Sequence, residues 1–166
     1  ADARLMSGAE IGFIGFGDLG RALIKLLSGF RSTIRAYDPW LPGSVLKDHG
    51  AEPASLDQVL SQSNVIFVVA GVTTENGGFL GAAEFARMRK GTSFVLLSRA
   101  GVVDFDALIN AVKGGHIKAA SDVYLEEPLP LDHPVRKLDN FILSAHRAGA
   151  LDVAFKDMVR MVLEDL

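Results

Sequence analysis

The sequence predicts an α/β fold with a doubly wound parallel sheet, and three observations support that class. Short apolar runs alternate with helix signals along the chain, as happens when parallel strands are covered by helices on both faces. The first run ends in a glycine-rich turn and is followed by a helical pattern. Polar residues follow several later runs directly. Right-handed crossovers would bring all of these strand ends to one edge of the sheet, where open parallel sheets bind ligands.

Composition excludes several classes of protein. The chain has 166 residues, 49% of them hydrophobic, which is enough for one core and indicates a single domain. Apolar runs such as residues 65–72 are too short to span a bilayer, so we expect no membrane partner. The net charge of −3 is spread along the chain and indicates no nucleic-acid partner. The absence of cysteine fits a cytoplasmic protein. No metal is expected, because the four histidines lie far apart: His49, His116, His133 and His146.

The first predicted strand, residues 11–16, passes into Gly15-x-Gly17-x-x-Gly20 and then into a helix that runs from near Asp18 to about Ser28. Gly15 permits a tight turn, Gly17 lets a pyrophosphate approach bare backbone, and Gly20 lets the helix pack closely on the strand. The helix N-terminus would face the phosphates. Glycines also punctuate ordinary turns, so this pattern alone leaves both interpretations open.

The second predicted strand, residues 33–37, ends in Asp38. An acidic residue roughly 20 positions beyond the glycines can accept hydrogen bonds from an adenosine ribose. The alternative is that Asp38-Pro39 only starts a turn. With both features in register we favour a Rossmann-type dinucleotide site. We also expect NAD rather than NADP, because a 2′-phosphate beside Asp38 would be repelled.

The remaining elements alternate in the same way. Ser55 and Gln58 match a capping box that opens a helix ending near residue 62, and Asp104 can cap a later helix. A proline-rich segment, residues 126–134, is expected to hold no regular element. The other predicted segments are a helix at 44–48, a minimal strand at 51–53, strands at 64–69, 92–97, 117–121 and 141–144, and helices at 82–88, 105–113 and 151–166.

Five polar residues fall at or just after predicted strand ends, and we expect them to gather along one edge of the sheet. They are Asp38, Thr73, Arg99, Asp122 and His146. Loops at such an edge are where function usually lies.

Four motifs stand in order along the chain: Gly15-x-Gly17-x-x-Gly20 with Asp38, Ser98-Arg99 leading to Val103-Asp104, Ser121-Asp122-Val-Tyr-Leu-Glu-Glu127-Pro128-Leu-Pro130, and Ser144-Ala-His146-Arg-Ala-Gly149. In this order and spacing, nearly the whole chain resembles the NAD-binding domain of the D-isomer-specific 2-hydroxyacid dehydrogenases. That family includes phosphoglycerate, glycerate, D-lactate and formate dehydrogenases. The resemblance implies NAD as cofactor and a small D-2-hydroxy acid or 2-keto acid as substrate.

The resemblance also implies catalytic roles. Arg99 would bind the substrate carboxylate and carbonyl, His146 would donate and accept the proton, and Glu127 would orient His146. These roles make chemical sense, because a hydroxyl must lose its proton when a hydride leaves and a planar guanidinium grips a carboxylate at two points. The alternatives are a surface arginine and a loop histidine with a structural hydrogen bond, and Glu126 is a rival for the role of Glu127.

The same resemblance implies a set of cofactor contacts, with Asp122 holding the nicotinamide carboxamide unless it only caps its strand. The full set is Gly15, Gly17, Asp18, Leu19, Gly20, Asp38, Pro39, Gly71, Val72, Asn76, Ser98, Arg99, Asp122, His146 and Ala148. Three positions depart from the family pattern: Ala100 where glycine is usual, Ala145 where proline is usual, and Asn76 where many members have threonine. These departures bear on substrate scope more than on the chemistry.

The family inserts this domain between two parts of a substrate domain. Residues 1–166 are therefore expected to form one dinucleotide-binding domain, with residues 1–8 and 151–166 as remnants of connecting helices. The isolated chain would bind NADH but turn over poorly, and the apolar surface of residues 151–166 would favour a homodimer. An alternative is an NAD-sensing binding module, since the C-terminal-binding-protein corepressors resemble the same family.

Overall fold

The computed structural model describes residues 5–149 and 151–164. Its centre is one parallel sheet of seven strands in the order β3-β2-β1-β4-β5-β6-β7. The doubly wound class predicted from the sequence is thus confirmed. The strands are β1 Glu10–Ile14, β2 Thr33–Tyr37, β3 Glu52–Pro53, β4 Val65–Val68, β5 Ser93–Leu96, β6 Lys118–Ser121 and β7 Phe141–Leu143.

Helices cover both faces of this sheet: α1 Asp18–Leu27, α2 Gly43–Asp48, α3 Leu56–Gln62, α4 Ala82–Arg87 and α5 Phe105–Lys113. Helix α6, Asp152–Glu164, follows β7. Side chains of α1 and α2 close one hydrophobic core, and those of α3, α4 and α5 close the other. Successive residues of β1 and β4 enter opposite cores, as the two-residue period of a strand requires. This division explains why the central strands are apolar at nearly every position.

The predicted caps are confirmed. The Ser55 hydroxyl accepts from the Gln58 N–H at 3.2 Å, and the Gln58 side chain accepts from the Ser55 N–H at 2.9 Å. The Asp104 carboxylate accepts from the Ala107 N–H at 3.0 Å at the start of α5. Both helices begin where the side-chain chemistry of the sequence places them.

Several boundaries differ from prediction. Strand β1 ends at Ile14, so Phe16 lies in the turn, although its side chain is fully buried. Helix α1 ends at Leu27 and continues as a 3₁₀ turn, and the left-handed residue that ends it is Arg31 (φ 52°) rather than Gly29. Residues 6–8 form a bend and turn instead of the end of a helix. Residues 1–4 of the predicted N-terminal remnant lie outside the described residues.

Helix α6 forms as predicted, but its apolar side chains pack on nothing within the described chain. They are Val153, Phe155, Met158, Val159, Met161, Val162 and Leu163, each more than half exposed. Among residues 5–149 and 151–164, no helix has the length and apolarity needed to cross a membrane.

Candidate functional site

The glycine turn lies between β1 and α1, where the strand order reverses between β1 and β4. Gly15 has φ +86°, and a Cβ there would lie 2.5 Å from the Ala70 Cα. Its N–H donates to the Tyr37 carbonyl at 2.9 Å. Both the backbone angle and the close approach of Ala70, which follows β4, therefore require glycine at this position.

Gly17 caps α1 with its backbone alone, since no side chain accepts from the first N–H groups of the helix. A Cβ on Gly17 would meet nothing within 4 Å, so open space lies beside the positive end of the helix. This geometry fits a pyrophosphate. Asp18 is fully exposed and pairs with Arg21 at 2.5 Å, while Leu19 is 47% exposed.

Asp38 stands at the carboxyl end of β2 and holds the glycine turn. Its carboxylate accepts from the Phe16 N–H at 2.8 Å and from the Trp40 N–H at 3.0 Å. Asp38 therefore stabilises the glycine turn. It also lies beside the adjacent cleft, where a ribose would lie. Arg35 of the same strand forms ion pairs with Glu10 and Glu52. Its charge is therefore directed to carboxylates other than that of Asp38.

A cavity of about 300 Å³ opens beside this turn between the ends of β1, β2 and β4. Asn76 supports its wall: the amide oxygen accepts from the Thr73 N–H at 2.7 Å, and the amide nitrogen donates to the Gly71 carbonyl at 2.8 Å. Asn76 is thus a buried brace of the loop that contains Gly71 and Val72. The lining is mostly apolar, as suits an adenine ring, and consists of Ile14, Gly15, Tyr37, Pro39, Trp40, Ala70, Glu75, Asn76 and Phe79.

Ser98 and Arg99 follow β5 at the same edge. The Ser98 hydroxyl oxygen is buried and has no hydrogen-bond partner among the described residues. A buried hydroxyl without a partner is costly, so a donor or acceptor on a bound cofactor would satisfy it. The Arg99 side chain is exposed and donates to the Ser98 carbonyl at 2.8 Å, which leaves most of its donors available to an anion.

Glu127 and His146 form a close pair. The His146 Nδ1 lies 2.6 Å from one carboxylate oxygen of Glu127, and the other oxygen accepts from the Tyr124 N–H at 2.8 Å. The hydrogen bond from His146, together with that from Tyr124, lowers the pKa of Glu127 below its usual range. The rival Glu126 is exposed and makes no hydrogen bond in the described chain to His146.

Asp122 fixes the loop that carries His146. Its buried carboxylate accepts from the Ser144 hydroxyl, from the Arg147 N–H at 2.9 Å and from the Ala148 N–H at 2.9 Å. Burial raises the pKa of Asp122, but the hydrogen bonds from Ser144, Ala148 and Arg147 outweigh it and hold the pKa below its usual value. An ionised carboxylate offers about four acceptor positions. Three are filled here, so one remains for the carboxamide predicted to bind at Asp122.

His146 itself adopts φ +53°, a left-handed conformation that is uncommon for any residue except glycine. Such conformations cluster at functional sites and persist where the surroundings hold them in place. Here the contacts of Asp122 and Glu127 supply that support from two sides.

The lowered pKa of Glu127 predicts that the pair survives mild acid. A carboxylate whose folded pKa lies below its unfolded value stabilises the fold above that range and loses its contribution as pH falls through the folded pKa. Glu127 should thus stay ionised where an unfolded glutamate is half protonated. Carboxyl ¹³C titration by NMR measures this, with Glu127→Gln to assign the signal and Glu126→Gln as the control. A Glu127 titration at or above the usual glutamate value would contradict the contact.

Fold and site together define a dinucleotide-binding domain with a carboxylate–histidine pair at its ligand edge. Comparison with known proteins agrees: the profile described as "D-isomer specific 2-hydroxyacid dehydrogenase, NAD binding domain" matches residues 2–148. The chain belongs to this family, as its NAD-binding domain.

Relatives and solved structures share this domain. The chain is 33% identical to D-3-phosphoglycerate dehydrogenase of Archaeoglobus fulgidus (97% of this chain, 31% of that protein) and 34% to glyoxylate reductase of Korarchaeum cryptofilum (96% and 48%). A phosphoglycerate oxidoreductase from Rhizobium etli superposes with a TM-score of 0.92 at 65% identity (99% and 52%). NAD-dependent formate dehydrogenase from Staphylococcus aureus, in complex with NAD, gives 0.86 at 30% (98% and 49%). The chain thus spans about half or less of these proteins.

The structure brings some predicted residues together and leaves others apart. Glu127 and Asp122 both support the His146 loop, whereas Arg99 makes its only described hydrogen bond with Ser98. Tyr124 was not predicted as a site residue, because it lies inside a recognised motif but nothing in the sequence indicates its contacts. Trp40 was not predicted either, and its position directly after Asp38-Pro39 was the available signal.

Proposed function

We propose that this chain is the cofactor-binding part of an enzyme that transfers a hydride between NAD and a D-2-hydroxy acid or 2-keto acid. The Glu127–His146 pair carries the proposal, because it sets a proton donor and acceptor at the ligand edge of an NAD-binding domain. When bound, the nicotinamide would accept or donate the hydride. The protein supplies binding, orientation and proton transfer.

The Glu127–His146 pair determines which ring nitrogen of His146 transfers the proton. An ionised carboxylate can only accept hydrogen bonds, so the Nδ1 next to Glu127 carries a proton. The Nε2 makes no hydrogen bond with the described residues, and it is therefore the atom that exchanges a proton with the substrate oxygen.

Arg99 would hold the acid group of the substrate. It lies at the end of β5, one strand from Asp122 in the sheet order, with an exposed side chain. A guanidinium binds a carboxylate with two parallel hydrogen bonds and thereby fixes its orientation. That orientation decides which face of the 2-keto acid meets the nicotinamide.

NADH should bind more tightly than NADPH. The Asp38 carboxylate at the ribose end would accept from a 2′-hydroxyl and repel a 2′-phosphate, and the nearby Arg35 is already paired with two glutamates. Trp40, the single tryptophan, lines the cleft and should report binding by fluorescence. Asp38→Asn should narrow the difference between the two affinities. Equal or tighter binding of NADPH to the unmodified chain would overturn the assignment.

Turnover tests the proposal as a whole. The full-length protein should oxidise NADH with at least one member of a panel of 2-keto acids that includes glyoxylate, pyruvate and phosphohydroxypyruvate. Activity on the panel that depends on both Arg99 and His146 would support a dehydrogenase. NADH binding without turnover on any 2-keto acid would favour an NAD-sensing module instead.

We also propose a homodimer and a second, substrate-binding part outside this domain. Helix α6 supports both, since its exposed apolar residues need a covering surface. In their absence the isolated chain should bind NADH and turn over little, because hydride transfer needs a closed, water-poor cleft. Light scattering would test the dimer, and robust turnover by the 166-residue chain would exclude the need for a second part.

A further inference from the structure

Tyr124 contacts Glu127 with its backbone and the loop that carries His146 with its side chain. Its backbone N–H donates to Glu127 at 2.8 Å. Its hydroxyl lies 2.8 Å from the Ser144 carbonyl and 2.8 Å from the Ser121 carbonyl. Ser144 begins the loop that carries His146 at φ +53°, so a single residue spans the end of β6, the glutamate and the histidine loop.

The Tyr124 hydroxyl has one proton and two carbonyl neighbours. The other hydrogen bonds of these two carbonyls indicate which of them needs the proton. The Ser121 carbonyl also accepts from the Ser144 N–H at 3.0 Å. The Ser144 carbonyl accepts from no other group in the described chain. A backbone carbonyl without a donor is unfavourable, so the Tyr124 hydroxyl is best used on Ser144. Burial raises the pKa of Tyr124 above its usual range, and the hydroxyl therefore keeps its proton.

The ring of Tyr124 is held firmly enough for this role. Tyr124 is only 8% exposed. Its ring packs edge-on against Phe105 with centroids 6.0 Å apart, and Phe105 in turn lies 6.3 Å from Phe141 of β7. Phe105 is the first residue of α5, the helix that follows the loop after Arg99. The hydroxyl is thus fixed by a packed aromatic cluster and costs little entropy to place.

We propose that Tyr124 is a positioning residue that holds Glu127 and the His146 loop in register, so that the Nδ1 proton of His146 meets the carboxylate. This role rests on the proposed function only for its effect on turnover. Its effect on the pair is a property of the folded chain. The left-handed backbone of His146 needs support on both sides. Asp122 holds residues 147 and 148 and the Ser144 hydroxyl, and Tyr124 holds the Ser144 carbonyl.

Tyr124→Phe removes the hydroxyl and keeps the ring. Thr92→Val is a matched control, because the buried Thr92 hydroxyl also donates to a backbone carbonyl, that of Ser63, at 3.2 Å. Thr92 precedes β5 and so lies at the opposite edge of the sheet. Both variants should lower Tm by a similar, small amount, about 2–4 °C.

The measurement that distinguishes the two variants is the rate at which the His146 Nδ1 proton exchanges with water. It is monitored by NMR in protein that contains ¹⁵N-labelled histidine, and His146→Asn assigns the signal. Tyr124→Phe should accelerate this exchange roughly two- to tenfold, the factor expected for one lost hydrogen bond. Thr92→Val should leave it unchanged. Unchanged exchange in Tyr124→Phe would overturn the positioning role, whatever the protein catalyses.

In the full-length protein, Tyr124→Phe should lower kcat by a similar factor and leave the Kd of NADH unchanged. A fall in NADH affinity with unchanged kcat would overturn the role, since the hydroxyl would then serve the cofactor. If even the unmodified protein turned over no 2-keto acid, the proposed function would fail, and the proton-exchange result would still decide the role of Tyr124.

Discussion

Replacing His146 by asparagine is expected to lower turnover of the full-length protein by about 10²- to 10⁴-fold, the usual contribution of a general acid–base group. Asparagine is the suitable substitute because it tolerates the left-handed φ of +53° at this position. It cannot exchange a proton near neutral pH. The loop geometry held by Asp122 and Ser144 should therefore persist while the proton transfer is lost.

NADH affinity should change far less than turnover, since the imidazole acts on the substrate oxygen. The measurement is a steady-state kcat with NADH and the best 2-keto acid, beside a fluorescence titration of NADH. His116→Asn is the control, because the His116 imidazole also makes one hydrogen bond, from Nε2 to the Met88 carbonyl at 2.9 Å, but lies away from the site. Near-normal turnover by His146→Asn would remove His146 from the mechanism and with it the main support for a dehydrogenase.

Most of the fold could be predicted, because each layer of the structure requires a local pattern in the sequence. Strands buried on both faces are apolar at nearly every position, as β1 and β4 show. Helix starts are marked by single side chains such as Ser55 and Asp104. The end of α1 was less predictable, since Arg31 takes the left-handed position without the glycine that usually marks it.

The positions of the site residues in the fold could be predicted from the sequence, but the contacts between them could not. A parallel sheet brings strand ends to one edge, so Asp38, Asp122 and His146 were expected there, and the sheet order agrees. The clamp between Tyr124 and Ser144 joins residues 20 apart in the chain. Nothing local distinguishes a tyrosine hydroxyl that reaches such a carbonyl from one that faces solvent. The brace formed by Asn76 was missed for a different reason: its partners lie only three and five residues away, but Asn76 was expected to contact the cofactor.

The glycine turn offers the second large effect, because its two glycines are required for different reasons. Gly15→Ala should destabilise the chain by about 2–5 kcal/mol, since it strains a left-handed backbone and overpacks the turn. The added Cβ would lie 2.5 Å from the Ala70 Cα and 2.6 Å from its backbone nitrogen. These are backbone atoms of the segment after β4, and they cannot move aside as the end of a flexible side chain would. Tm should fall by roughly 5–20 °C.

Gly17→Ala, two residues away, should leave Tm within about 1–2 °C of the unmodified chain, because its Cβ meets nothing within 4 Å and its φ of −68° suits alanine. The methyl group would instead occupy the space in which a pyrophosphate approaches the first N–H groups of α1. NADH affinity should then fall by about tenfold or more, a loss of at least ~1.4 kcal/mol. Thermal melts and NADH titrations followed by Trp40 fluorescence separate the two effects. A stable Gly15→Ala variant would refute the steric argument, and full NADH affinity in Gly17→Ala would place the pyrophosphate elsewhere.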